Sequence, residues 1–531
     1  MLRKIKYIFF VFTAVLFIQS CANDLDLQPE DDRLVADAAF DDPTAYRAFL
    51  AKIYAGISLS GQDGPAGNPD LAGLDEGFSN YLRLYWKMQE LTTDEAVIGW
   101  NDGTIKDLHY QNWTSGNEFI RTIYSRILYQ VALTNQFLRE TTDAKLNGRG
   151  VDASLKAEIQ NYRDEARFMR ALSYWHAMDL FANPPFVTED DPIGAFLPTQ
   201  IQRADLFTYI ESELLAIEST IIGAKQNEYG RADRAAVWML LAKLYLNAEI
   251  YTGSARNNEV ITYTTNIISA GYVIPNNPYD QLFLADNDTN GAQNEVIFTI
   301  PFDGLNTQSF GGMTFLVHAP VGGSMNPADF GINGGWFGLR TTSTFVEQFP
   351  GEENTADGRA LFYTDGQQIE IEDISFFGDG FAIQKFKNVD INGNPGSDPG
   401  NHPDTDFPMF RLADTYLMYA EATLRGGSGN MGTAVGYINE LRQRAYGDTS
   451  GNIMQSDLTL DFILSERSRE LFWEGHRRTD LVRFGQFTTQ GIWPFKGNVP
   501  QGATTEAFRD IMPIPAADLG VNTNLTQNPG Y

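Results

Sequence analysis

The sequence predicts a mainly α-helical fold that carries one long, irregular, partly β insert. Three observations predict it. Apolar residues recur at helical spacing over several long stretches, and small residues stand among them where helices would press together. Between about residues 271 and 407 that spacing gives way to Gly, Asn, Asp and Pro with short β-like runs. At 531 residues the chain is long enough for a large core, in two to four domains or in one large one.

The chain opens with a basic stretch (Arg3, Lys4, Lys6) followed by an apolar run, Tyr7 to Ile18, too short for a comfortable membrane span. Ile18-Gln19-Ser20-Cys21 resembles a bacterial lipobox, and Cys21 is the only cysteine, which excludes an internal disulfide framework. Residues 1–20 therefore read as a lipoprotein signal peptide and residues 21–40 as a lipidated tether, with Cys21 the lipidation site. Acyl chains there would anchor the protein at about 0.8 kcal/mol per buried CH₂.

Helical signals begin near Thr44, and the Gly-rich residues 59–77 read as loop. Asn101-Asp102-Gly103 is a turn signal directly after Trp100, so that ring is expected to be displayed. Glu118 to Arg139 reads as a helix. Residues 154–181 read as another, with Phe168, Leu172 and Trp175 at i, i+4 and i+7 and Pro184-Pro185 to end it. Residues 231–250 carry a stripe of Val237, Leu240, Leu241, Leu244, Tyr245 and Ala248, and residues 410–424 form a further helix. Paired helices of this kind suggest tetratricopeptide-like hairpins, although no strict 34-residue repeat is legible. Within the insert, Glu295 to Ile300 is the clearest β-like run.

Composition narrows the function classes. A formal charge of −29 argues against nucleic-acid and anionic-lipid partners but does not repel a neutral ligand. There is no Gly-rich nucleotide cradle, no His-Glu-x-x-His pair among the five histidines, and no Gly-x-Ser-x-Gly elbow. The 68 acids offer many carboxylate pairs whose separation is set only in three dimensions, so a glycosidase stays open on residues alone. Aromatic content is 13%, and aromatic faces suit the C–H face of a sugar.

The segment Leu458 to Phe487 alternates in charge along Glu466, Arg467, Arg469, Glu470, Glu474, Arg477, Arg478 and Asp480. Its apolar stripe is Leu460, Ile463, Leu464 and Leu471, and by itself it reads as a helix with a solvated charged face. Its order of residues, ER–REL–EG–RR–DL–RFG, resembles the signature of the SusD-like (RagB/SusD) proteins, glycan-binding outer-membrane lipoproteins of Bacteroidetes. Asn68-Pro69-Asp70-Leu71, Gly230-Arg231-Ala232-Asp233, Tyr251-Thr252-Gly253, Ala285 to Asp288, Asp404-Thr405-Asp406 and Gln527 to Tyr531 are similar to the starch-binding members of that family.

The resemblance implies four tetratricopeptide-like hairpins and a single domain over residues 41–531, with the insert at about 271–407 laid on the scaffold. It implies a non-catalytic, surface-exposed protein of the outer membrane that hands glucan to a TonB-dependent, SusC-like transporter. By motif, the sugar-stacking arc of the starch binders falls on Trp100, Phe310 and Trp336, with Asp75 and Arg83 as hydrogen-bonding partners. Ile98 stands where a second tryptophan is expected and Gly103 where an asparagine is, with Asn101 as the substitute for the latter. An α-glucan of the starch type is the expected ligand. A β-glucan such as laminarin comes next because of those two departures, and a lid or scaffold without sugar binding is the alternative of another class.

Asp286-x-Asp288-x-Asn290-Gly291 begins like a calcium loop, but Ile297 stands where an EF-hand needs a bidentate Glu. The resemblance instead implies a structural Ca²⁺ on Asp288, Asp404 and Asp406, against a simpler role as loop-shaping residues. No catalytic cofactor is expected.

Overall fold

The computed structural model describes residues 39–62, 64, 65, 69–71, 75, 77–194 and 196–531. The signal peptide, Cys21 and nearly all of the tether lie outside the described residues. Twelve helices of seven or more residues run through the described chain: α1 Ala45–Ser58, α2 Tyr81–Gln89, α3 Glu118–Glu140, α4 Ala153–Phe181, α5 Arg203–Ile217, α6 Arg234–Leu246, α7 Asn257–Ser269, α8 Gly312–His318, α9 Leu412–Leu424, α10 Met431–Tyr446, α11 Leu460–Leu471 and α12 Arg477–Arg483. The protein is mainly helical, as the apolar periodicity requires.

Local chemistry explains where helices start. Asn117, Asp152 and Asp233 each accept two backbone N–H bonds at the first turns of α3, α4 and α6, and Thr459 caps α11. Each such cap stabilises its helix by about 1 kcal/mol. Helices adjacent in the chain pack on each other: α3 on α4, α4 on α5, α6 on α7, and α9 on α10. Helix α7 also packs on α9, so the chain leaves the scaffold after α7 and rejoins it at α9 with the irregular segment looped out between them.

That segment is pinned by short strands. β2 (Val296–Ile300) pairs antiparallel with β6 (Phe407–Arg411), and β4 (Phe362–Tyr363) with β5 (Ala382–Ile383). A third pair reaches across the chain, joining β1 (Val97–Ile98) to β3 (Leu339–Arg340) in the register Val97↔Arg340 and Ile98↔Leu339. One large apolar cluster, from Phe40 to Leu525, takes in side chains of both the helices and the insert.

Three expectations change. The helix expected over 410–424 begins at Leu412, because Phe410 and Arg411 belong to β6, opposite Phe298 and Val296. The 231–250 helix breaks at Asn247, whose side chain donates back to the carbonyl of Lys243 (2.9 Å). The third change is the largest. The stretch Leu458–Phe487 is not one helix, since Trp473 turns into the left-handed region (φ 61°) between α11 and α12.

Nor is its charged face solvated. Glu466, Arg467, Arg469, Glu470, Glu474, Arg477, Arg478 and Asp480 are all buried. Their partners come from far along the chain. Arg411 of β6 bridges Glu295, Glu470 and Glu474 at 2.6–2.8 Å, and Arg359 bridges Asp357, Glu466 and Glu470 at 2.6–3.1 Å. Lys385 pairs with Glu474 (2.7 Å), and Arg444 of α10 pairs with Glu295 and Glu470. Arg467 holds Asp414 and Asp480, while Arg477 holds Asp94 at 2.6 Å. Burial pushes the Glu470 carboxyl up, but Arg444, Arg411 and Arg359 outweigh it and hold it down at about 2. The alternating charges are thus an internal clamp that fastens insert to scaffold.

Candidate glycan-binding site

The β1–β3 pair positions the site. Beyond Ile98 the ladder continues with the Gly99 amide donating to the Gly338 carbonyl (3.0 Å), and the next residue is Trp100. Its indole N–H donates to the Trp336 carbonyl (3.0 Å), and the two rings stand 6.3 Å apart, tilted by 46°. The Trp100 ring lies against Gly338, where an added Cβ would come within 2.5 Å of it. A glycine is needed there for the close approach. Both tryptophans are half-buried, so they are less displayed than the turn signals suggest. Trp336 stacks on His318 at the end of α8 (4.9 Å, 24°), whose ring nitrogens sit 2.8 and 3.0 Å from the carbonyls of Gly334 and Asn401.

Arg83 of α2 lies beneath the arc. It is buried, with its guanidinium 4.5 Å from the Phe315 ring and 5.8 Å from Trp100. Nη1 donates to the carbonyls of Gly77 (2.9 Å) and Phe310 (3.1 Å). Arg83 therefore also fixes the loop that presents Phe310. Phe310 is 37% exposed, and its ring centre is 5.9 Å from His402. Asp75 is exposed and accepts from the Phe78 amide (3.1 Å); a Cβ on Gly77 would stand 3.2 Å from Asp75 Oδ1 and 3.5 Å from Phe310 Cβ. Arg83 thus stands against Trp100 and holds the Phe310 loop, Trp336 packs beside Trp100, and Asp75 lies beside Gly77. Asn101 is exposed beside Trp100.

The positions that depart from the expected pattern are Ile98 and Gly103. Ile98 is fully buried in β1 and adds nothing to the exposed surface. Gly103 has a positive φ (43°), and a Cβ there would overlap Oε1 of Glu118 at 1.7 Å. An asparagine at 103 would have to displace Glu118, which also accepts from the Thr104 amide (3.2 Å). Lys87 went unnoticed in the sequence. It is fully buried one turn after Arg83, 4.2 Å from the Phe119 ring, and burial pushes its ammonium well below the usual lysine range.

Asp286, Asp288, Asp404 and Asp406 line a separate recess of about 360 Å³. Asp404 accepts from Gly304, from Ser397 Oγ and from the Ser397 amide at 2.6–2.7 Å, and Asp406 accepts from the Phe302 amide (2.7 Å). Hard carboxylate oxygens suit Ca²⁺. Among the described residues, however, no three acidic, His or Cys side chains close into a metal shell. The three expected aspartates share this recess.

A helical scaffold with an ion-clamped insert and an aromatic arc defines a class, and the comparisons identify it. Residues 354–531 match the SusD family. The starch-binding protein SusD of Bacteroides thetaiotaomicron is 34% identical, with 99% of this chain and 100% of that protein aligned. SusD-like protein P25 of Formosa agariphila is 25% identical over 76% of this chain and 78% of its own. The chain belongs to the SusD family. Its members are non-catalytic glycan-binding proteins, surface lipoproteins of the outer membrane that work in a SusC-partnered system. Among solved structures, a SusD superfamily protein from Bacteroides vulgatus superposes with a TM-score of 0.71 at 19% identity, covering 92% of this chain and 99% of that one. Surface glycan-binding protein A from Bacteroides thetaiotaomicron, in complex with laminarihexaose, gives 0.68 at 19% identity, covering 91% and 98%. These two establish the fold alone.

Proposed function

We propose that this glycan-binding protein captures an α-glucan of the starch type at the cell surface and delivers it to a TonB-dependent, SusC-like transporter, held in the outer membrane by lipid on Cys21. The observation that carries the reading is the packing of Trp336 beside Trp100, over an Arg83 that also holds the Phe310 loop, which offers sugar-stacking rings on a rigid base. Its support on the choice of glucan is the full-length likeness to a protein named for starch binding. Sharing the membrane with its transporter raises the effective concentration, so weak sugar affinity suffices. Acylation that disappears in Cys21→Ala is the corresponding result for the anchor.

A second reading, a β-glucan such as laminarin, is favoured by one observation: Glu118 occupies the room an asparagine at 103 would need. A lid or scaffold without sugar binding predicts no saturable titration. Calorimetric titration with maltoheptaose and with laminarihexaose separates the three. Saturable binding of the first supports the proposal, of the second alone the β-glucan reading, and of neither the scaffold. A structural Ca²⁺ on Asp288, Asp404 and Asp406 belongs to the same proposal, supported by the four carboxylates around one recess.

A further inference from the structure

Next to Trp336 stands a residue whose backbone is hard to explain by packing. Phe337 adopts a positive φ of 54°, a region bulky residues avoid because the Cβ crowds the backbone. Among the described residues, two other aromatic residues, Trp473 and Phe495, also do so. Both are buried, and the core contacts they gain account for it. Phe337 is 53% exposed and gains no such burial.

The surrounding structure nonetheless enforces this conformation. Four consecutive amides are tied to the turn that follows α8: Trp336 donates to His318 (2.9 Å), Phe337 to Val321 (3.1 Å), and Gly338 and Leu339 to Ala319 (2.8 and 2.9 Å). Gly335 lies so close that a Cβ would come within 2.0 Å of the Val321 carbonyl oxygen. The ring of Phe337 rests on Gly322, where a Cβ would meet it at 2.7 Å, and packs edge-on against Phe377 (5.5 Å, 64°). The result is a fixed, outward-facing ring one residue beyond Trp336.

The turn it rests on carries polar groups. Gly322 opens a tight turn closed by the Met325 amide on the Gly322 carbonyl (3.1 Å). The exposed Ser324 in that turn has its hydroxyl 2.9 Å from the Tyr363 hydroxyl and donates to the Asp365 carbonyl (2.7 Å). An apolar platform edged by hydroxyl groups suits a sugar, whose C–H face stacks while its hydroxyls exchange hydrogen bonds. The strongly negative chain does not suit an anionic ligand.

We propose that Phe337, with the Gly322–Met325 turn, is a further sugar subsite that extends the Trp100–Trp336–Phe310 arc, so that glucan chains longer than the arc gain affinity from it. The inference rests on the glucan-binding reading above. It is tested by titrating the full chain with maltotriose and maltoheptaose, and with laminaritriose and laminarihexaose in parallel. The wild type binds the longer member of the accepted pair more tightly. Phe337→Ala weakens the longer sugar by about three- to tenfold, the loss of one stacking ring, and leaves the trisaccharide unchanged. Phe337→Gly, which takes the positive φ without strain, gives the same loss of length preference, and Phe337→Tyr retains that preference. A length preference unchanged in the Ala and Gly variants overturns the subsite while leaving the glucan reading intact. An equal loss for both lengths also overturns it, since the ring would then only shape the arc. A wild type that binds none of the four sugars refutes the glucan reading itself, and the subsite falls with it.

Discussion

Replacing Arg411 by methionine removes the centre of the buried ion clamp. Its guanidinium makes five hydrogen bonds: to both carboxylate oxygens of Glu474, to the carboxylates of Glu295 and Glu470, and to the Glu470 carbonyl. After the change Glu474 retains Lys385, and Glu295 and Glu470 retain Arg444, so no carboxylate is left without a cation. Two of them nonetheless lose charge-assisted bonds at 2.6 Å in a site that water does not reach. Hydrogen bonds to charged groups contribute about 1.5–3 kcal/mol each, and the apolar methionine offsets part of that, so losing these two costs about 3–5 kcal/mol. Unfolding entropy near 2.1 cal/mol/K per residue gives roughly 1 kcal/mol per degree for a chain of about 500 residues. The melting temperature of Arg411→Met should therefore fall by about 3–5 °C by differential scanning calorimetry. Arg411→Lys should recover only part of this, because an ammonium cannot reproduce the planar fork. Disrupting the surface pair Arg47–Glu228, whose side chains are 62% and 54% exposed, should leave the melting temperature unchanged. An Arg411→Met protein that melts at or above the wild-type temperature would refute the view that these charges fasten insert to scaffold.

The remaining predictions concern acidity, the arc and the aspartate recess. Glu421 and Glu470 are held at about 2 in the fold against burial, chiefly by Arg483 and by Arg444 and Arg411, so the stability they contribute is present above about pH 4.5 and is lost as pH falls towards 2. Glu90, beside Glu95, is pushed up to about 7 by burial, so its contribution runs the other way, present below about 4.5 and lost as pH rises to 7. Melting temperature should thus peak near pH 5, and Glu90→Gln should make the neutral limb shallower without abolishing it, since burial also raises Glu95 and Asp406. Gly338→Ala forces the Trp100 ring away from its seat and should weaken glucan binding about fivefold in titration, the cost of a displaced stacking ring. If Ca²⁺ occupies the aspartate recess, a chelator should lower the wild-type melting temperature and have no effect on Asp406→Ala; a wild type indifferent to chelator would leave these aspartates as loop formers.

Much of the scaffold was legible because its cause is local. The stripe Phe168, Leu172, Trp175 and the cap Asp152 lie within one helix, and α4 runs over Ala153–Phe181 as spacing predicts. The ion clamp was not, because its partners lie far apart in the chain: 111 residues separate Arg359 from Glu470, 89 separate Lys385 from Glu474, and 116 separate Glu295 from Arg411. Alternating charge on a helix is ordinarily solvated, and only the tertiary partners reverse that. Strand β6 was hidden because Phe410 and Arg411 run straight into the stripe of α9. At the candidate site, Trp100, Trp336 and Phe310 were named by motif, whereas the hydrogen bonds of Arg83 to the carbonyls of Gly77 and Phe310 follow from no local pattern. Phe337 carries no sequence signal at all, since its left-handed backbone is imposed by the turn after α8.

The central claim is that the aromatic arc binds glucan, and one calorimetric titration series tests it most directly. Wild type, Trp100→Ala and the Trp100→Ala, Trp336→Ala double variant are each titrated with maltoheptaose, with melting recorded on the same samples. Each ring contributes roughly 1 kcal/mol of stacking, and a millimolar ligand has only about 4 kcal/mol in all. The account predicts about fivefold weaker binding for Trp100→Ala and none measurable for the double variant. Because both tryptophans are half-buried, melting should fall, but by less than in Trp86→Ala, whose fully buried ring costs about 3–5 kcal/mol. Maltoheptaose binding that survives in a folded double variant would contradict the account.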